Sequence, residues 1–256
     1  MSPNNVILSK YLDYGTSNPI VNRFTLQFID IVETGLVFGN DNNSKDRFVN
    51  SLFPLMEELL KVSESMKKYI SILQDTDDFF ERNEKEMLRT NDVRFDDPTY
   101  ELQNQFETVL IRAILAIRKF VKVLSIVEMS DFHSHKDMNR HLIRRFENIV
   151  SIRTYIENVG LFIKEVYDIR GKVEHDGLQI TRYNVSIVNN ELIATHPMLS
   201  EMNTSACLYI QRVYLVLFKY FEFVIAVSLK GRLSLGNLVM LEKLDKHGYR
   251  WVIKFS

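Results

Sequence analysis

The run Phe106-Glu107-Thr108-Val109-Leu110-Ile111-Arg112-Ala113-Ile114-Leu115-Ala116-Ile117-Arg118-Lys119-Phe120-Val121-Lys122-Val123-Leu124 decides the fold class. Phe106, Val109, Leu110, Ala113, Ile114, Ile117, Phe120, Val121 and Leu124 recur at three- and four-residue intervals, the period of an α-helix with one broad apolar face. The pattern extends over residues 99–127, with Pro98 near its start, where a missing N–H costs nothing. Ile111 and Leu115 project almost opposite the main stripe, so this helix is expected to be covered on two sides, deep in a bundle or at a subunit contact. Arg112 lies at the flank of the main face.

Outward from this helix, four more stretches carry the same period. Residues 46–73 place Phe48, Leu52, Leu55, Leu59, Val62, Met66 and Tyr69 on one face, with Asn42, Asn43 and Ser44 as caps upstream and Pro54 as a kink or the true start. Residues 22–37 carry Phe24, Phe28, Ile31, Val32 and Leu36 and end near Gly39. A long helix from Arg144 to about Ile169 bears the stripe Ile152, Tyr155, Ile156, Val159, Phe162, Ile163 and Val166. An aromatic helix over 205–230 completes the set. Between them, residues 75–97 hold nine acidic against four basic residues and read as a partly helical, solvated connector anchored by Phe79 and Phe80. Strand-like residues around Asn189-Asn190 predict a hairpin near 178–195, and a second follows around Asp245-Lys246-His247-Gly248. The expectation is a mostly α bundle of long helices with one or two small β-hairpins. It divides into an N-terminal helical segment (1–45), the bundle (46–230) and a C-terminal hairpin appendage (231–256).

With 256 residues, 46% of them hydrophobic, the chain can bury a substantial core. A formal net charge of -1 excludes a globally basic nucleic-acid binder, so any RNA contact must use a local patch. The single cysteine, Cys207, sits among apolar neighbours, and the opening Met1-Ser2-Pro3-Asn4-Asn5 lacks the features of a secretory signal; a reducing, cytoplasmic setting is expected. Residues 213–229 are apolar but interrupted by Lys219 and Glu222, which favours a buried helix over a membrane span, with those two charges pairing along one edge.

Chemistry concentrates in Tyr167-Asp168-Ile169-Arg170-Gly171-Lys172-Val173-Glu174-His175-Asp176-Gly177. A guanidinium and an imidazole from one short segment can hold a phosphate and shuttle a proton, the minimum equipment for cutting RNA without a metal. A continuous α-helix would set Arg170 and His175 about 140° apart. Gly171 and Gly177 offer places for the backbone to turn, and a second subunit offers another route to convergence. The competing reading has Arg170 ending a helix and pairing with Asp168 or Glu174, and His175 capping a turn.

This region resembles the HEPN superfamily, helical bundles in which an arginine is followed, after four to six residues, by a histidine. Arg170 and His175 carry the resemblance, together with the apolar helix leading into them. It implies a metal-independent endoribonuclease working at a symmetric homodimer interface, without cofactor. The ribose 2′-hydroxyl would attack the adjacent phosphate, with His175 as general acid or base and Arg170 on the scissile phosphate. Asp168, Glu174 and Arg112 would support the pair, and Lys172 would contact RNA. The family also implies a toxin or abortive-infection role with a neutralising or regulatory protein partner. Family members place a polar residue directly after the arginine, whereas Gly171 stands here, and this keeps open a catalytically silent module that dimerises or binds a protein or nucleic acid.

Two further clusters need a reading. Lys136, Arg140, His141, Arg144 and Arg145 concentrate positive charge at the start of the helix ending at Arg170, about 40 Å from it along a single helix, and could contact distal RNA or form a solvated face. His133, His135 and His141 are spaced by two and six residues, unlike a zinc-binding helical pair, and are expected to lie on a solvated loop with no metal. Glycine-rich phosphate loops, H-E-x-x-H and G-x-S-x-G are absent from the sequence.

Overall fold

A computed structural model describes residues 18–255. Its spine is a helical hairpin in which α4 (Thr99–Glu128) packs against the inner part of the longer α3 (Asn42–Thr90). Asp41 caps α3 by accepting the Ser44 N–H at 3.1 Å, one residue before the expected cap positions. Pro54 neither starts nor ends α3. Phe48, Leu52, Leu55, Leu59, Val62 and Tyr69 are buried on both sides of it, and this packing carries the helix through the missing hydrogen bond. The acidic stretch, expected to be a partly helical connector, continues α3 through Thr90, for about four turns. It contains no glycine or proline before Thr90, and Phe80 and Met87 bury its inner face.

The mostly α architecture is as the periodicity predicts. All nine residues of the main stripe of α4 are buried, while Ile111 is 46% exposed. α7 (Ala206–Lys230) runs through the middle, against both α3 and α4; Phe221 stacks on Phe120 with ring centroids 4.1 Å apart. Among the described residues no helix is long and apolar enough to cross a membrane. Glu222 does not pair with Lys219. Its buried carboxylate takes Arg23, with Arg23 Nε at 2.7 Å, and also accepts from Gln27 Nε2 at 3.3 Å.

That network fastens both ends of the described chain to the bundle. Arg23 sits in a π-helical stretch, Asn22–Leu26, between the short α1 (Pro19–Val21) and α2 (Gln27–Thr34). Gln27 Oε1 in turn accepts the backbone N–H of Trp251 at 2.9 Å. Trp251 belongs to β6 (Trp251–Lys254), which pairs antiparallel with β5 (Asn237–Met240) as the expected second hairpin. Gly35, just past α2, faces Leu233, Ile253 and the carbonyl of Ile31 so closely that a Cβ there would lie 2.3 Å from Leu233 Cδ2. The core runs without a break from Ile20 to Trp251.

The first hairpin also forms. β1 (Asn184–Val188) pairs with β2 (Glu191–Thr195), and Asn189 and Asn190 both adopt positive φ, 52° and 63°, as a tight two-residue hairpin turn requires. A smaller pair, β3 (Met198–Leu199) with β4 (Thr204–Ser205), has no counterpart in the sequence reading.

The largest departure lies before Arg170. The expected single helix from Arg144 is two helices: α5 (His135–Arg145) ends at Phe146, and α6 (Val150–Gly171) starts after a short turn and packs back against α5. Gly160 permits the close crossing, since a Cβ there would stand 2.5 Å from Asn139 Nδ2.

Candidate functional site

Arg170 lies in the last turn of α6, and the chain continues helically through a π turn, Lys172–Asp176, closed by Gly177 at φ 66°. Gly171 is helical and is not the turning point. The change of helix type matters because a π turn closes its hydrogen bonds over five residues instead of four. Residues five apart therefore come closer in azimuth than the 140° of an uninterrupted α-helix. Both groups reach one carboxylate: Arg170 Nη1 pairs with Glu174 Oε2, and His175 Nε2 stands 3.4 Å from the same oxygen. The His175 side chain is 72% exposed and that of Arg170 37% exposed.

The supporting residues fall in different places. Glu174 is the bridge just described. Lys172 pairs with Glu201 in the 3-10 turn between β3 and β4, which together with Asp176 and Asp168 holds its ammonium group above the usual lysine range. Asp168 is exposed on α6. Arg112 is committed to Glu58 of α3 at 3.4 Å, within the spine.

The basic cluster is redistributed by the break between α5 and α6. Lys136, Arg140, Arg144 and Arg145 all lie on α5, not on the helix that ends at Arg170, so the expected straight-line separation does not apply. Arg145 turns inward: Nη1 pairs with the buried Glu128 carboxylate at the end of α4, and Nη2 donates to the Ser228 carbonyl at 3.2 Å. Burial and nearby Arg232 lower its pKa. His141 shares Glu128 at 3.2 Å, and burial together with Arg144 pushes its pKa down. Arg140 pairs with Asp137 at 2.8 Å and remains largely exposed, as do Lys136 and Arg144.

Lys136 and Arg140 line a cavity of about 1070 Å³ between α4, α5 and α6. His135 lies in its wall. It is not on a solvated loop: burial drives its pKa down to about 4, and its Nε2 is sealed from water without a hydrogen-bond partner. Tyr167, one turn before Arg170, belongs to the same wall. Among the described residues no group of three or more His, Cys, Asp or Glu side chains is arranged to hold a metal.

One constellation escaped the sequence reading. Asp77 of α3 accepts the Tyr183 hydroxyl at 2.6 Å and faces His196 Nε2 at 3.0 Å, and the Tyr183 and His196 rings stack 5.6 Å apart. The partners are separated by more than a hundred positions, and no local spacing signals them. Phe80 and Phe95 close against Tyr183, so the group clamps the first hairpin to the outer half of α3.

No known protein family matches this chain, and neither a curated protein nor a solved structure shows significant similarity to it.

Proposed function

We propose that this protein is a metal-independent endoribonuclease of HEPN type that works as a homodimer. The observation that carries the reading is the π turn after Arg170, which gathers Arg170 and an exposed His175 around one carboxylate at the end of α6. An RNA phosphate entering beside Glu174 would compete for Arg170 with two oxygens in the geometry a guanidinium fork favours. Two protomers would bring two His175 rings to one cleft. One ring takes the proton of the attacking 2′-hydroxyl, and the other returns a proton to the departing 5′-oxygen, leaving a 2′,3′-cyclic phosphate. Lys172 and Arg144 would steer the strand, while Arg145 is occupied by Glu128. A cytoplasmic toxin or abortive-infection effector held in check by a protein partner fits this chemistry.

The test is cleavage of single-stranded RNA in excess chelator, with products analysed for cyclic phosphate ends. Wild-type cutting that is lost in both Arg170→Ala and His175→Ala, at unchanged melting temperature, supports the reading. An inert wild-type protein overturns it.

A second reading, a catalytically silent dimerising or binding module, is favoured by one specific observation. Arg170 is already neutralised by Glu174, and neither Arg170 nor His175 lines the large cavity. Exposed Ile111 on α4 would then be part of the contact face.

A further inference from the structure

The cavity between α4, α5 and α6 is separate from the Arg170–His175 pair and has a chemistry of its own. Cationic side chains enter it from three helices: Arg118 and Lys122 from α4, Lys136 and Arg140 from α5, and Lys164 from α6. Carboxylates are fewer. Glu157 lies in the wall with Arg153 at 3.8 Å, and Asp137 is turned to Arg140 and to the cap of α5. Among the described residues Lys122, Lys136 and Lys164 have no carboxylate partner. The first turn of α5 also opens here, adding the positive end of a helix dipole.

Between these charges the wall is apolar and aromatic, formed by Phe132, Ile143, Ile163 and Tyr167. His135 adds a neutral imidazole whose Nε2 has no partner in the fold. The volume, about 1070 Å³, sits at the upper end of small-molecule sites, which span about 300–1,000 Å³. It is far more than a lone phosphate fills. Positive charge delivered from three sides matches a ligand with negative charges at more than one place, unlike a single anionic head on an acyl chain.

We propose that this cavity binds a small nucleotide, one or two nucleoside units carrying two or more phosphate charges. The base lies against Phe132 and Tyr167, and the phosphates lie among Lys122, Lys136 and Lys164. The site is regulatory or ancillary with respect to Arg170 and His175, and it stands whether or not those residues cut RNA.

The experiment is titration calorimetry of the full chain with four probes: inorganic phosphate, AMP, the dinucleotide pApA and a ten-nucleotide single-stranded RNA. The expected result is a Kd for AMP or pApA below about 100 µM. Lys136→Glu with Lys164→Glu should weaken it at least about tenfold, since both charges are exposed and their reversal acts through Coulomb attraction without repacking the core. Arg170→Ala should bind as the wild type does, and this separates the cavity from the proposed cleavage site. Three outcomes overturn the proposal: no probe binds, phosphate binds as tightly as the nucleotides, or the charge-reversed protein at wild-type melting temperature binds equally well. Binding of the ten-nucleotide RNA alone would also overturn it, in favour of a strand-tracking surface.

Discussion

Arg170 pairs with Glu174 one turn further along the same helix, so the guanidinium best placed to meet a phosphate already has an anionic partner. Both side chains are partly exposed, and pairs of this kind contribute about 0.2–1 kcal/mol. Glu174→Gln should therefore cost little stability and strengthen RNA binding about two- to fivefold at low salt, as measured by fluorescence anisotropy. Unchanged or weaker binding would mean that Glu174 positions the pair and does not compete with RNA.

The Arg23–Glu222 pair is of another kind. Glu222 is buried in α7, and Arg23 also lies over the Phe218 ring at 4.5 Å. Removing one partner strands a charge in the core, so Arg23→Met should cost about 3–5 kcal/mol in chemical denaturation. Replacing both, Arg23→Met with Glu222→Leu, should recover most of that loss. If the double variant is as unstable as the single one, the shape of the network matters more than its charge.

His135 should make folding sensitive to acid. Burial holds it neutral down to about pH 4, against an ordinary value of 6.5, so the unfolded chain binds the extra proton between those limits. Stability is unaffected above about pH 6.5 and falls as the pH drops toward 4, by an amount on the order of 3 kcal/mol. Arg118 and Lys122 from α4, Lys136 and Arg140 from α5, and Lys164 and Glu157 from α6 line the same cavity. His135→Phe should flatten the profile between pH 4 and 6.5 relative to wild type. An unaltered slope would assign it to other groups.

Gly35→Ala tests the seam where the C-terminal segment crosses α2. The added methyl would meet Leu233, Ile253 and the Ile31 carbonyl within 3 Å, and the carbonyl is backbone that cannot swing aside. A loss of about 1–3 kcal/mol is expected from this overpacking. An equally stable variant would show that the seam relaxes freely.

Periodicity revealed the helices whose apolar stripes are long and uninterrupted, α4 and α7 above all, and Asn189-Asn190 marked its turn because few residues adopt left-handed φ at low cost. It missed the break at Phe146, where no glycine or proline interrupts the chain and the stop depends on α5 folding back over Gly160. It also cut α3 short, because a run of charges looks solvated until Phe80 finds Phe95 and Tyr183. At the candidate site, Arg170 and His175 were legible as residue types at a spacing. The Arg170–Glu174 pair was one of the two local pairings the sequence offered, whereas the π turn that lets His175 share that carboxylate and the inward commitment of Arg145 depend on a choice between helix types or on neighbours distant in sequence that local pattern does not encode.

The length of α3 has a mechanical consequence. At about 1.5 Å per residue its 49 residues extend roughly 70 Å. Beyond Leu73 only Phe80 and Met87 are buried, and the first hairpin is clamped there through Tyr183 and His196. Amide protons in this outer arm should exchange with solvent well before those facing α7, and a protease should nick the arm while the remainder stays intact. The expected pattern is a tip that frays first, joined through one unbroken rod to a slow-exchanging heart.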